Sequence, residues 1–157
     1  MRLLKIVSGG QTGVDRAALD AALRSGIDCG GWCPEDRLAE DGCIPQRYPV
    51  SVLKGADYRQ RTLQNVVDSD GTVLIHFGSL TGGSRLTLKA CINQNKPKLV
   101  IDGSSTTATQ AVKQILHFIS EHAIQELNVA GPRASTVPSA YDYTLKVISE
   151  VLGKIGA

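Results

Sequence analysis

The chain has 157 residues, 42% of them hydrophobic and 20% charged, with a formal net charge of +2. That size suits one domain with its own core, and the composition is that of a folded chain rather than a disordered one. The small charge leaves no electrostatic footprint for nucleic acid or an acidic membrane, and no apolar run reaches membrane-span length.

Charge interrupts the first apolar residues, M-R-L-L-K, which is unlike a signal peptide, so the expected location is the cytoplasm. Cys29, Cys33, Cys43 and Cys91 are then expected as reduced thiols. Their spacing includes no C-x2-C pair, and His76, His117 and His122 complete no zinc pattern. No metal site is expected.

Residues 3–7 form a short apolar run that reads as a buried strand. After it comes S-G-G-Q-T-G-V-D-R-A-A-L-D, residues 8–20, where Val14, Ala17, Ala18 and Ala21 recur at helical spacing. Gly9, Gly10 and Gly13 therefore occupy a strand-to-helix turn. Thr12 is the expected N-cap, with Asp15 three residues on as its capping-box partner. Such a turn points backbone N–H groups and the positive helix end at an anion, most often a phosphate. It is neither the G-x-G-x-x-G dinucleotide fingerprint nor a Walker A loop.

The first helix is expected to end at Ser25, with Gly26 as a left-handed C-cap. A short second strand follows over 27–32. Residues 33–53 lose periodicity, carry Pro34, Pro45 and Pro49, and read as a long ordered loop, a feature more often functional than not. Residues 58–67 read as a helix with Leu63, Val66 and Val67 inward and Arg59, Arg61, Thr62 and Asn65 largely on the other side. A turn at 68–71 leads to a third strand at 72–77. Directly after it stands a second glycine loop, G-S-L-T-G-G-S (78–84), and a helix over 85–95 that Pro97 cannot extend.

A fourth strand at 98–101 precedes a helix at 107–120 with Ala108, Val112, Ile115 and Ile119 inward. A fifth strand at 127–130 is followed by Gly131-Pro132. The last helix, 139–154, places Tyr141, Leu145, Ile148, Leu152 and Ile155 on one stripe. Strands alternating with helices imply an α/β fold with a parallel sheet covered on both faces and right-handed crossovers. The expected strand order is 2-1-3-4-5. Both glycine loops then fall at the topological switch point, where open α/β sheets bind ligands.

Four stretches in order carry a family resemblance: S-G-G-Q-T-G-V-D-R-A-A-L-D-A-A (8–22), G-W-C-P-E-D-R-L-A-E-D-G-C-I-P (31–45), Y-R-Q-R-T-L-Q-N-V-V-D-S-D-G-T (58–72) and L-T-G-G-S-R-L-T (80–87). Together they resemble the molybdenum cofactor carrier-like family, part of a Rossmann-like superfamily shared with the lonely-guy-type nucleotide hydrolases and DprA. The resemblance implies a Rossmann-like three-layer domain over residues 1–157. It implies a homodimer or homotetramer that binds the molybdenum cofactor (molybdopterin) or molybdate, with molybdoenzymes as recipients. The expected ligand contacts are Gly9, Gly10, Gln11, Thr12, Gly13, Arg61, Thr62, Thr81, Gly82, Gly83 and Ser84. Arg16, Arg37, Arg59 and Arg85 are further candidates for charge-assisted bonds.

The hydrolases of that superfamily carry an acid in the helix after the double glycine, near Lys89 here. Without it, Glu40 and Asp41 are the only acids expected to stand in for glycosidic chemistry. The preferred reading is therefore a non-enzymatic carrier. The alternative is an enzyme or sensor acting on a nucleotide-derived ligand.

Overall fold

The computed structural model describes residues 2–3, 5–80 and 82–156. Five parallel strands form the central sheet: β1 (Lys5–Val7), β2 (Asp28–Gly30), β7 (Gly71–His76), β8 (Lys98–Asp102) and β9 (Glu126–Ala130). Four shorter strands, β3 (Trp32–Cys33), β4 (Leu38–Ala39), β5 (Gly42–Cys43) and β6 (Ser51–Val52), lie in the segment expected as a loop. There β3 pairs with β6 in parallel, and β4 with β5 as an antiparallel hairpin.

The helices are α1 (Val14–Ser25), α2 (Tyr58–Asp68), α3 (Gly82–Asn93), α4 (Ala108–Glu121) and α5 (Ala140–Gly156). One layer holds α1, α4 and α5, with α5 packed against both others. The second layer is the α2–α3 pair. Along β7 the side chains alternate between the two faces, as a strand's period of two requires. Val73 and Ile75 join the main core with Ile6, Leu127, Val129, Ile115 and Ile148. Thr72 faces the other way, where Asn128 Nδ2 donates to its hydroxyl at 3.2 Å.

The α/β fold with a parallel sheet between helical layers is as expected, but the strand order is not. The sheet runs β2-β1-β9-β7-β8, which is 2-1-5-3-4 when its strands are counted along the chain, rather than 2-1-3-4-5. The last strand is inserted between the first and third. Burial explains why. Leu127, Asn128 and Val129 are buried at three consecutive positions, so both faces of β9 are covered. On β8, Lys98 is exposed and Leu99 and Val100 are only half-buried, as befits an edge strand.

Several local expectations also change. Gly26 does end α1 in the left-handed conformation, at φ 69°. The N-cap of α1 is Gly13, however, and Thr12 makes no cap bond. On α2 the inward face differs from the expected one: Arg61, Thr62, Asn65 and Val66 are buried and Leu63 is exposed. A capping box between Asp57 and Gln60 starts that helix, and one between Thr107 and Gln110 starts α4.

Candidate functional site

A cavity of about 420 Å³ opens at the carboxyl ends of β1, β9 and β7. Both glycine loops reach it, but they do not abut, because the segment after β9 lies between them. That segment lines the cavity through Gly131, Pro132, Arg133, Ser135, Thr136 and Val137. Of the expected ligand contacts, Gly9, Gln11, Arg61, Thr62, Gly82, Gly83 and Ser84 line it. Gly10, Thr12 and Gly13 do not, and Thr81 lies outside the described residues.

Arg61 is the organising side chain. It rises from the buried face of α2 and is 6% exposed. Its guanidinium lies 4.6 Å from the Tyr58 ring centroid, and Nη1 donates to Asp15 Oδ2 at 3.3 Å. The guanidinium rests directly on Gly9, where any Cβ would fall inside it. That close approach is what Gly9 is for. Arg61 Nε is buried and has no hydrogen-bond partner among the described residues. A buried cationic donor left unpaired is costly, so this atom marks a place where an acceptor belongs.

The start of α3 supplies the other donors. Gly82, Gly83 and Ser84 bring the first turn of that helix to the cavity, where N–H groups have no intrahelical partner. Gly82 has φ 51°, and among the described residues no atom lies within 4 Å of where its Cβ would be. Gly83 instead makes room for the Tyr58 hydroxyl.

The start of α1 is different, because the protein itself occupies it. The Val14 N–H donates to the Pro132 carbonyl at 3.2 Å, the Gln11 N–H to Asp15 Oδ2 at 3.4 Å, and the Thr12 N–H to Gln11 Oε1 at 3.0 Å. Thr12 Oγ1 donates to Glu40 and accepts from the Ala134 N–H at 3.1 Å. A Cβ on Gly13 would strike the Pro132 carbonyl, and one on Gly10 would lie 3.0 Å from Ile44 Cδ1.

The other candidate arginines are engaged or remote. Arg16 clamps Asp41 at 2.9 and 3.1 Å and the Gly10 carbonyl at 3.0 Å. Arg37 donates to the carbonyls of Ile44, Pro45, Tyr48 and Val50, and so ties the 33–53 segment together. Arg59 and Arg85 are exposed and do not line the cavity. Glu40 and Asp41 do not line this cavity either. Hydrogen bonds from the Ser135 and Thr12 hydroxyls hold Glu40 below the ordinary carboxylate range, and Arg16 does the same for Asp41.

Residues the sequence reading passed over complete the site. Asp15, 4% exposed, is an acid within the cavity itself, and burial pushes its pKa up against the opposing pull of Arg61. His76, at the end of β7, directs Nδ1 at the Gly78 carbonyl at 2.8 Å. Arg133 also lines the cavity, its guanidinium 6.0 Å from the Tyr58 ring centroid. A legible signal existed for the β9 segment: Gly131-Pro132 directly follows a strand, as both glycine loops do. For Asp15 there was none, since an acid three residues after Thr12 reads as its capping-box partner. Among the described residues no group of three or more His, Cys, Asp or Glu side chains gathers as a metal site.

Residues 6–152 match the circularly permutated YpsA SLOG family, cpYpsA. The chain belongs to that family. It is also similar to a crystal structure from Syntrophus aciditrophicus SB, titled "Putative molybdenum carrier protein", at 45% identity and a TM-score of 0.92. That match covers 96% of this chain and 94% of the other. The resemblance read from the four motifs is thereby borne out. No curated protein matched the chain.

Proposed function

We propose that this protein is a carrier whose single domain, residues 1–157, holds a phosphate-bearing small molecule in the cavity, with the molybdenum cofactor as cargo. The observation that carries the reading is the buried Arg61 Nε, unpartnered among the described residues, at a cavity that the first turn of α3 also lines. A phosphate oxygen would satisfy both, through a charge-assisted bond on one side and backbone N–H groups on the other. The volume of about 420 Å³ falls in the range of small-molecule sites. The name of the Syntrophus protein supports molybdenum as part of the cargo.

In this reading Gly82, Gly83 and Ser84 bind the phosphate with Arg61, and Thr62, Gly9 and Gln11 line its surroundings. Gly10, Thr12 and Gly13 hold the loop beneath. Thr81 stays in the proposed set by its place beside Gly82. A homodimer or homotetramer in the cytoplasm, passing cargo to molybdoenzymes, completes the proposal. No helix among the described residues is long and apolar enough to cross a membrane. An enzyme acting on a nucleotide-derived ligand is the second reading, and the buried Asp15 in the cavity is what favours it.

Mass spectrometry and elemental analysis of co-purifying ligand test the cargo. Calorimetric titration of that ligand into Arg61→Ala tests the site: losing one charged hydrogen-bond donor should weaken binding about 10- to 100-fold. Unchanged affinity in a folded variant would place the ligand elsewhere.

A further inference from the structure

The cavity holds one carboxylate where an anion is expected, and that calls for an explanation. Asp15 Oδ2 takes the Arg61 Nη1 donor and the Gln11 N–H, while no described hydrogen bond reaches Oδ1. A carboxylate only accepts hydrogen bonds, and so does a fully ionised oxyanion. Placed against the same guanidinium, the two would repel each other. One proton between them turns that repulsion into a short charge-assisted bond.

We propose that Asp15 makes the cavity selective for oxyanions that carry a proton, so that it takes phosphate and phosphate esters and rejects ionised sulfate and free molybdate. The proposal rests on reading the cavity as an anion site. It sharpens the cargo to molybdenum held within a phosphate-bearing organic molecule rather than bare molybdate.

The groups facing Asp15 are few. Arg61 meets it from α2, and Arg16 acts on it from its own helix. His76 at the end of β7, Tyr58 on α2 and Arg133 beyond β9 line the same cavity. Arg16 is already committed to Asp41. Arg61 thus serves two anions, Asp15 and the ligand, with one positive charge. A shared proton restores the balance. Inorganic phosphate brings that proton even in mildly alkaline solution. A phosphate ester, with its second pKa near ~6, brings it in mildly acid solution and otherwise needs Asp15 to take one up. Sulfate and molybdate never bring one near neutrality, so for them Asp15 must always supply it. Burial helps Asp15 do so as the pH falls.

The test is calorimetric titration with three probes: inorganic phosphate, sulfate and molybdate. At about pH 8, phosphate should bind at least ~10-fold more tightly than either of the others. The phosphate–sulfate gap should narrow as the pH is lowered toward about 5. In Asp15→Asn, whose amide can donate, the gap should close to within about 3-fold because sulfate and molybdate gain. Equal binding of phosphate and sulfate by the parent protein, or a gap that persists in Asp15→Asn, overturns the proposal and leaves the anion site standing. Should Asp15→Asn fail to fold, the pH series on the parent protein decides, and a gap that does not change with pH overturns it. If none of the three probes binds, the anion-site reading falls, and the proposal with it.

Discussion

The loops after β1 and β7 both carry paired glycines between a strand and a helix, yet they do opposite things. Around the first, the glycines admit the protein's own atoms: the Arg61 guanidinium on Gly9, Ile44 against Gly10, and the Pro132 carbonyl on Gly13. The start of α1 is thereby spoken for, its donors taken by Pro132, Asp15 and Gln11. Around the second, Gly83 admits the Tyr58 hydroxyl, but Gly82 meets no atom of the described residues and the start of α3 reaches the cavity. A missing side chain records that something approaches closely. It does not say whether that something is a ligand or another part of the fold. The two loops are also linked through α2, because Arg61 lies on Gly9 and Tyr58 on Gly83.

The largest effect that would break this contrast is on stability. Gly10→Asp puts a carboxylate against Ile44 at φ 83°, and the arginine clamp from Arg16 ends on the carbonyl of that same residue. The expected cost is about 4–5 kcal/mol, enough to unfold much of the population, read by denaturant titration. A near-native variant lacking only ligand affinity would show instead that the first loop binds ligand directly.

Gly82→Asp is the matching change on the open loop. Its Cβ meets no described atom, an acid suits the first turn of a helix, and the positive φ should cost only about 1 kcal/mol. At ~4 Å and an effective dielectric of ~20, like charges cost about 4 kcal/mol, near a thousandfold in affinity for a phosphate-bearing ligand. Calorimetry should thus find a stable protein that no longer binds. Retained affinity would remove the second loop from the site.

A smaller, pH-dependent effect separates the two carboxyls near the first loop. Glu40 is held below its ordinary pKa, so its contribution is present above about pH 4.5 and is lost as the pH falls through the folded value. Asp15 is shifted upward, so stability declines as the pH rises from its ordinary value toward the folded one. Thermal melting against pH should show Glu40→Gln flattening the acid-side loss and Asp15→Asn flattening the decline above about pH 4. Identical pH profiles in both variants would mean that neither carboxyl has the environment described. Smallest of all, Lys113→Ala, exposed on α4, should shift stability by less than about 0.5 kcal/mol and leave binding unchanged. A larger change in either would extend the site's influence into a helix that does not line the cavity.

The helices and core strands were legible in the residues themselves. Periodicity marked α1, α4 and α5, and the apolar runs marked β7, β8 and β9, because local side-chain spacing reports which face is covered. On α2 the same reasoning failed. It sent Arg61, Thr62 and Asn65 outward because polar residues are assumed to face water, whereas here that face borders a polar cavity. The spacing of Gly9, Gly13 and Gly83 correctly announced close approaches in strand-to-helix turns.

Which approach each glycine serves was decided only in three dimensions. So was the position of β9, since an apolar strand of five residues carries no record of its neighbours, and non-local pairing is settled by how the layers pack. Inserting β9 brought Pro132 over α1 and closed its start. The packing of α2 then set Arg61 against Asp15, at a cavity that the start of α3 also lines. A charged donor without a partner exists only once chain segments 46 residues apart, Asp15 and Arg61, have been brought together.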